Sequence, residues 1–114
     1  MEKRLRVLEG QIKRVKGELQ RLGDLRPGSL SEQYNVCGNP NCRCKESPAN
    51  RHGPYYQLSF TRNGRSRTKF VRKQDLREVK IQLKNYGRLR SLVDRWIELS
   101  TELCQLRLEQ GHGE

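Results

Sequence analysis

Two stretches of the chain, one near each end, repeat apolar residues with the spacing of a helical seam. In both stretches six apolar residues follow one another at intervals of 3, 4, 3, 4 and 3. This spacing is the a/d pattern of a coiled coil, so we expect helices over residues 1–22 and 75–109, with Gly87 as the point where the second would kink. The first set is Leu5, Leu8, Ile12, Val15, Leu19 and Leu22, and the second is Leu89, Leu92, Trp96, Leu99, Leu103 and Leu106.

Each of these seams needs an apolar partner, because an isolated helix with an apolar stripe has nothing to bury it against. The simplest arrangement pairs the two helices as an antiparallel α-hairpin or coiled coil within one chain. The alternative pairs the seams of two chains and gives a homodimer. The spacing of the apolar residues does not choose between the two arrangements.

Between the two seams lies a stretch that reads as a β-hairpin, "YYQLSFTRNGRSRTKFV" within residues 55–72. Its Asn63-Gly64 step is a strong turn signal. The fold class is therefore α+β, with a single domain over residues 1–114. We expect the remaining segment, residues 23–54, to be a loop.

The register of this hairpin determines which side chains share a face. A two-residue turn would set Phe60 opposite Arg67 and mix apolar with charged groups. A three-residue loop from Arg62 to Gly64, with a bulge at the glycine, shifts the pairing by one residue. We expect this second register because it separates an apolar face from a basic one. It turns Tyr56, Leu58, Phe60 and Phe70 inward and Arg67 and Lys69 outward, opposite Ser59 and Gln57.

The net charge of +11 and the pI near 10 indicate a polyanionic partner, and nucleic acid comes first. Residues 55–73 carry six basic groups and no acid. A charged edge ribbon that resists aggregation is the alternative reading, but fewer charges would serve that purpose. We expect nucleic-acid contacts from Arg62, Arg65, Arg67, Lys69, Arg72 and Lys73, with Arg43 and Lys45 nearby and Tyr55 stacking on a base.

Three of the four cysteines fall within eight positions, in "CGNPNCRC", and a histidine follows eight residues later. Cys37, Cys42, Cys44 and His52 form a Cys3His set, which is a zinc-ligand combination. A disulfide, a catalytic thiol and a metal-free loop are the alternatives. Of the four ligands His52 is the least constrained, and Cys104 replaces it only if the second helix docks there. We expect Cys104 instead to be buried beside the seam.

Composition adds two further expectations. With 32% hydrophobic residues the chain has little material for a core, which favours a stabilising metal or a partner. No apolar run approaches the roughly 20 residues that span a bilayer, and the charged N-terminus does not resemble a signal peptide. We therefore expect no membrane association and a cytoplasmic location, where thiols stay reduced.

The stretch "RPGSLSEQYNVCGNPNCRCKESPANRHGPYYQLSFTRNGRSRTKFV", followed by "NYGRLRSLVDRWIELS", resembles a family of small uncharacterised bacterial proteins. The likeness rests on the Arg-Pro-Gly-Ser-Leu-Ser start, the cysteine cluster and the His-Gly-Pro-Tyr-Tyr segment, and it covers residues 26 to about 100. Members often stand beside mobile-element genes, which implies at most an accessory role in transposition. The hairpin and following helix are also similar to the small DNA-binding arm of phage integrases.

These observations favour a zinc-stabilised nucleic-acid-binding accessory protein that is not an enzyme. Its target would be DNA or structured RNA, and its protein partner a transposase or a nuclease. The competing hypothesis is an adaptor or inhibitor that binds an acidic protein through the helical seams and the basic hairpin. A catalytic role is disfavoured because neither paired carboxylates nor a phosphate-cradling glycine loop is present.

Overall fold

A computed structural model describes the backbone of residues 1–112 and the side chains of residues 1–111. The fold is α+β: an N-terminal helix, a three-stranded antiparallel sheet and a C-terminal helix. The elements are α1 (Glu2–Gln20), β1 (Ser29–Asn35), β2 (His52–Arg62), β3 (Arg65–Val71) and α2 (Leu76–His112). The strands lie in the order β1-β2-β3, so β1 and β3 are the sheet edges.

The chain divides into two compact units. The helical unit combines Met1–Leu25 with α2 from Lys84 onward, and the sheet unit is Arg26–Leu83. Within the described part of α2 the helix continues through Gly87 without interruption. No helix among the described residues is long and apolar enough to cross a bilayer.

The core of the helical unit consists of the seam residues that the heptad spacing predicts. Leu8 is fully buried, and the aliphatic side chains around it from both helices form one cluster. Lys16 places its ammonium group 5.1 Å from the centre of the Trp96 ring, which closes one side of this cluster. The buried members are Leu5, Leu8, Ile12, Val15, Leu92, Leu99 and Leu103, and Leu19, Leu22, Trp96 and Leu106 pack against them.

Within residues 1–111, three ion pairs join the two helices around this cluster. Arg4 donates to Glu102 through Nε and Nη2 at 2.9 and 2.8 Å, Glu18 accepts from Arg88 at 3.0 Å, and Glu9 accepts from Arg107 at 3.0 Å. All six side chains are roughly half exposed, so each pair contributes little to stability compared with the leucine cluster.

The expected loop over residues 23–54 contains a strand that the sequence analysis missed. β1 pairs with β2 and sets Leu30 opposite Leu58, which is 1% exposed. Gly28, at φ +139°, precedes the strand, and a Cβ at this position would lie 2.9 Å from the Ser59 carbonyl oxygen. Only glycine fits this close approach, which allows the chain to enter the sheet beside β2. The signal was weak because Leu30 is the one aliphatic side chain of the strand.

The predicted hairpin register is wrong. The loop has two residues, and Phe60 lies opposite Arg67 while Leu58 lies opposite Lys69. Asn63 and Gly64 both have positive φ, 53° and 75°, as a type I′ turn requires. The twist of this turn matches that of the strands, and this preference outweighs the separation of apolar from charged side chains. The chain tolerates the mixture because β3 is an edge strand, where long basic side chains reach water.

The observed register exchanges the two faces of β3. Phe70, which was expected to point inward, lies opposite Gln57 and is 74% exposed. Tyr56 lies opposite Val71 instead. Arg67 and Lys69 share the face of Leu58 rather than that of Gln57, because directly paired residues project from the same face.

Candidate metal centre and basic sheet face

The four predicted ligands lie together, which confirms that they are close enough to bind a metal ion. The thiol sulfurs of Cys37, Cys42 and Cys44 and a ring nitrogen of His52 all lie within 4.8 Å of one another. The Cys37 and Cys44 sulfurs are 3.7 Å apart, and the Cys42 sulfur is 3.1 Å from His52 Nε2. A tetrahedral ion with metal–sulfur bonds of about 2.3 Å separates its sulfur ligands by about 3.8 Å, so the spacing is compatible with zinc.

Local backbone structure brings the ligands together. The backbone N–H of Cys42 donates to the Asn39 carbonyl at 3.2 Å, which closes the turn between the first two cysteines. Cys44 follows in a short 3-10 turn, Arg43–Lys45, and is 1% exposed. His52 begins β2 and pairs with Asn35 at the end of β1, so the sheet fixes the position of the fourth ligand.

Groups outside the ligand set hold the loop in shape. The backbone N–H of Cys37 donates to the Cys44 sulfur at 3.3 Å, as expected for an amide that stabilises a thiolate. The Lys45 ammonium group donates to the carbonyl oxygens of Cys37, at 2.6 Å, and Asn39. Lys45 was expected to contact nucleic acid, and these two bonds give it a role in the metal loop.

The pKa values of two thiols in the cluster shift in opposite directions. A hydrogen bond with the backbone of Asn39, together with the side chains of Cys42 and His52, lowers the pKa of Cys37 to about 6. A hydrogen bond with the Cys44 backbone lowers the pKa of Cys42, but the side chains of Cys44 and Cys37 outweigh it and the net pKa is raised. The Cys37 thiolate thus forms readily at neutral pH, and its presence disfavours ionisation of the Cys42 thiol. A metal ion removes this opposition, because it stabilises all the thiolates at once.

Among the described residues all four cysteines are free. The 3.7 Å between the Cys37 and Cys44 sulfurs is far from the roughly 2.05 Å of a disulfide bond. Cys104 is exposed on α2, so the expectation that it would be buried is wrong. It lies outside the four-ligand cluster, in which His52 provides the fourth group.

His52 provides a sharp test of the ligand set. His52→Ala is expected to weaken metal binding by more than the roughly 10- to 100-fold typical of losing a partner outside the ligand shell. His52→Cys is expected to restore binding, because four cysteines also form a common structural zinc set. Competition with a chromophoric chelator measures both affinities. Equal metal affinity in the alanine variant and the unsubstituted protein would remove His52 from the site.

The basic residues of the hairpin gather on the sheet face that also carries Leu58. Arg62 lies directly opposite Arg65, and Arg67 and Lys69 follow along β3. All four side chains are exposed, and none takes part in an ion pair within residues 1–111. We call Arg62, Arg65, Arg67 and Lys69 the basic face.

The other predicted contact residues lie apart from the basic face. Arg72 and Lys73 follow the end of β3, and Arg72 is bound to Asp75 at 2.8 Å. Arg43 is in the metal loop. Tyr55 lies opposite Gln33 and shares the other face of the sheet with Phe70, a residue that the sequence analysis placed inside. Phe70 was missed as a surface residue because the wrong register buried it.

Comparison with known proteins identifies the class to which this helix–sheet–helix chain with its Cys3His cluster belongs. The chain is a member of the family described as Domain of unknown function (DUF6788), whose sequence profile matches residues 5–81. This match is consistent with the expected resemblance to an uncharacterised family. It begins in α1, earlier than expected, and ends before the stretch "NYGRLRSLVDRWIELS". Neither the curated proteins nor the solved structures contain a match to the chain.

Proposed function

We propose that this protein is a zinc-stabilised nucleic-acid-binding accessory protein without catalytic activity of its own. The observation that carries the proposal is the basic face. Arg62 and Arg65 are directly opposed across β2 and β3, an arrangement that repels when no anion lies between the two side chains. Phosphate groups supply that anion. The acid on this side of the sheet, Glu32, lies on the far edge strand and accepts a hydrogen bond from Tyr34.

Zinc is the metal that best suits the ligand set. Three thiolates and an imidazole favour zinc over magnesium or calcium, which prefer oxygen ligands. All four positions of a tetrahedron are then filled by protein, as in a structural site, and no position is left for a reacting water. The location we propose is the cytoplasm, where clustered thiols stay reduced and are available to a metal.

We further infer that α1 and α2 pair in an antiparallel arrangement within one chain. The ion pairs support this direction, because Arg4 near the start of α1 meets Glu102 near the end of α2. Glu18, near the end of α1, meets Arg88, which lies early in the helical unit's part of α2. The sheet unit would then provide the binding surface of an accessory protein, and a mobile-element nucleoprotein complex with a transposase or nuclease is the setting we propose.

Purification of the full chain at low salt tests the proposal. We expect a defined DNA or RNA species to accompany the protein, to be released at high salt, and to be identified by sequencing. A preparation free of nucleic acid, which also fails to bind added DNA or RNA at low salt, would contradict the proposal.

An adaptor that binds a protein partner is the second candidate. The observation in its favour is the exposure of apolar side chains on α2, where Ile97 is 58% and Leu108 is 57% exposed. Exposed apolar side chains mark a protein interface where they form a contiguous patch. An adaptor would form a stoichiometric complex that survives nuclease treatment and is lost in an Ile97→Asp variant, whereas a nucleic-acid-mediated association would be lost on nuclease treatment.

A further inference from the structure

The sheet face opposite to the basic face contains no charged residue along its three strands. We call it the polar face. Its two aromatic side chains are open to solvent, with Phe70 at 74% and Tyr55 at 42% exposure. The face comprises Ser29, Ser31, Gln33, Tyr55, Gln57, Ser59, Thr61, Ser66, Thr68 and Phe70.

The two aromatic residues of the polar face are neighbours. Phe70 lies directly opposite Gln57, and Tyr55 is two positions from Gln57 on the same strand. Phe70 and Tyr55 are therefore in a diagonal cross-strand relation, with Cα atoms about 7–8 Å apart. Gln57 adjoins both residues, and its carboxamide can both donate and accept hydrogen bonds. Two ring faces beside such an amide suit flat ligands with polar edges.

The hydroxyl groups that surround the two rings pair with one another across the strands. Thr61 and Ser66 pair across the strands at 2.9 Å, and Ser59 and Thr68 lie 3.4 Å apart. These hydroxyl pairs are short side chains that leave the Phe70 ring uncovered. The ring of Phe70, which is 74% exposed, is therefore open to a ligand.

The edge strand β3 carries two kinds of chemistry on alternate residues. Phe70 and Thr68 project from the polar face, while Arg67 and Lys69 project from the basic face. Because β3 is a sheet edge, no further strand separates its basic side chains from the border of the polar face. A single strand of nucleic acid is likewise two-sided, with bases along one side and phosphates along the other.

We propose that the polar face binds unpaired bases of a single-stranded nucleic acid, which stack on Phe70 and Tyr55 while the phosphates follow β3. This inference rests on the proposed function and narrows its ligand from nucleic acid in general to single strands. Bases within a duplex cannot present their faces to the two rings. Unpaired bases can, and stacking on an aromatic side chain is tolerant of sequence.

Fluorescence anisotropy with a labelled oligouridylate of roughly 12 nucleotides, a length within the footprint of small single-strand-binding domains, tests the proposal. The comparison ligand is a duplex of equal length. We expect the single strand to bind more tightly and Phe70→Ala to weaken this binding roughly tenfold, as for loss of one stacked base. Phe70→Tyr is expected to retain affinity because it keeps the ring, and Phe70→Leu is expected to lose it because it keeps only apolar volume.

Tyr34→Ala is the control, because it removes an exposed aromatic ring from the side of the sheet that carries Glu32, to which Tyr34 donates its hydroxyl hydrogen bond. The metal content of each variant confirms that the sheet unit is intact. Equal binding by Phe70→Ala and the unsubstituted protein, or preference for the duplex, would overturn the proposal. So would an altered oligomeric state in Phe70→Ala, because the ring would then cover a second copy of the chain.

Failure of this inference is distinguishable from failure of the proposed function. If the unsubstituted protein binds neither ligand at low salt, both proposals fall. If both ligands bind and the affinity depends on salt but not on Phe70, nucleic-acid binding stands and the single-strand assignment alone is withdrawn.

Discussion

Removal of the metal is expected to unfold the sheet unit while leaving the helical unit helical. Among the described residues the sheet unit contributes only three of the buried apolar side chains, Cys44, Leu58 and Val79. So small a core does not offset the conformational entropy of ordering the segment. Zinc binding in zinc-finger peptides supplies roughly 10–16 kcal/mol, which is comparable with the roughly 5–15 kcal/mol stability of an entire domain.

Cys44→Ser should have the same effect as removing the metal with a chelator. Cys44 is the buried ligand, and its sulfur also accepts a hydrogen bond from the Cys37 backbone N–H. We expect one metal ion per chain in the unsubstituted protein by elemental analysis and a marked loss in Cys44→Ser. In NMR spectra of Cys44→Ser the amide resonances of β1–β3 should lose their dispersion. The helical signal in circular dichroism should be largely retained. Cys104→Ser, which changes an exposed cysteine outside the cluster, should keep both the metal and the sheet.

A sheet that persists after exhaustive chelation and in Cys44→Ser would contradict this view of the centre. The four side chains would then form a polar cluster on a unit that is stable without metal. Loss of the metal in both cysteine variants would mean that Cys104 contributes to binding, which disagrees with its position outside the cluster.

The elements that were predicted correctly from sequence are those with long, repeated signals. The heptad spacing identified Leu8, Leu92 and their neighbours as core because six apolar positions in each seam reinforce one another. The ligand set was found because cysteine and histidine bring a specific chemistry at characteristic spacing. Both signals consist of residue type and spacing, which can be read without knowing which segments pair in the fold.

Apart from the exposure of Cys104, the errors concern the sheet, where pairing depends on residues far apart in sequence. β1 has a single aliphatic residue, Leu30, and becomes a strand because Leu58 and the β2 backbone are available to it. The predicted hairpin register was wrong because the separation of apolar from basic faces was given more weight than the turn. Asn63 and Gly64 readily adopt the positive φ that a two-residue turn requires. Once the turn is given priority, the exposure of Phe70 follows directly.

Neutralising part of the basic face is expected to flatten the salt dependence of nucleic-acid binding. One triple variant tests this, Arg65→Gln, Arg67→Gln, Lys69→Gln. It removes three exposed cations of β3 and replaces each with a polar side chain of similar length. Each phosphate contact contributes about 0.7 to 0.9 to the slope of log K against log salt concentration, so the slope should decrease by about 2 to 3. If the two proteins bind equally at 1 M salt, this corresponds to roughly a hundredfold loss at 0.1 M.

The matched control removes the same net charge from the helical unit. Lys3→Gln, Arg6→Gln, Arg14→Gln changes three exposed cations of α1 and should leave the slope nearly unchanged. The comparison separates local phosphate contacts from the general attraction of a chain with net charge +11. Equal slopes in the two triple variants would place binding outside the basic face. The β3 substitutions should leave the metal content unchanged, because β3 lies at the sheet edge and its cations are exposed. A change of slope with unchanged metal content is then attributable to lost phosphate contacts.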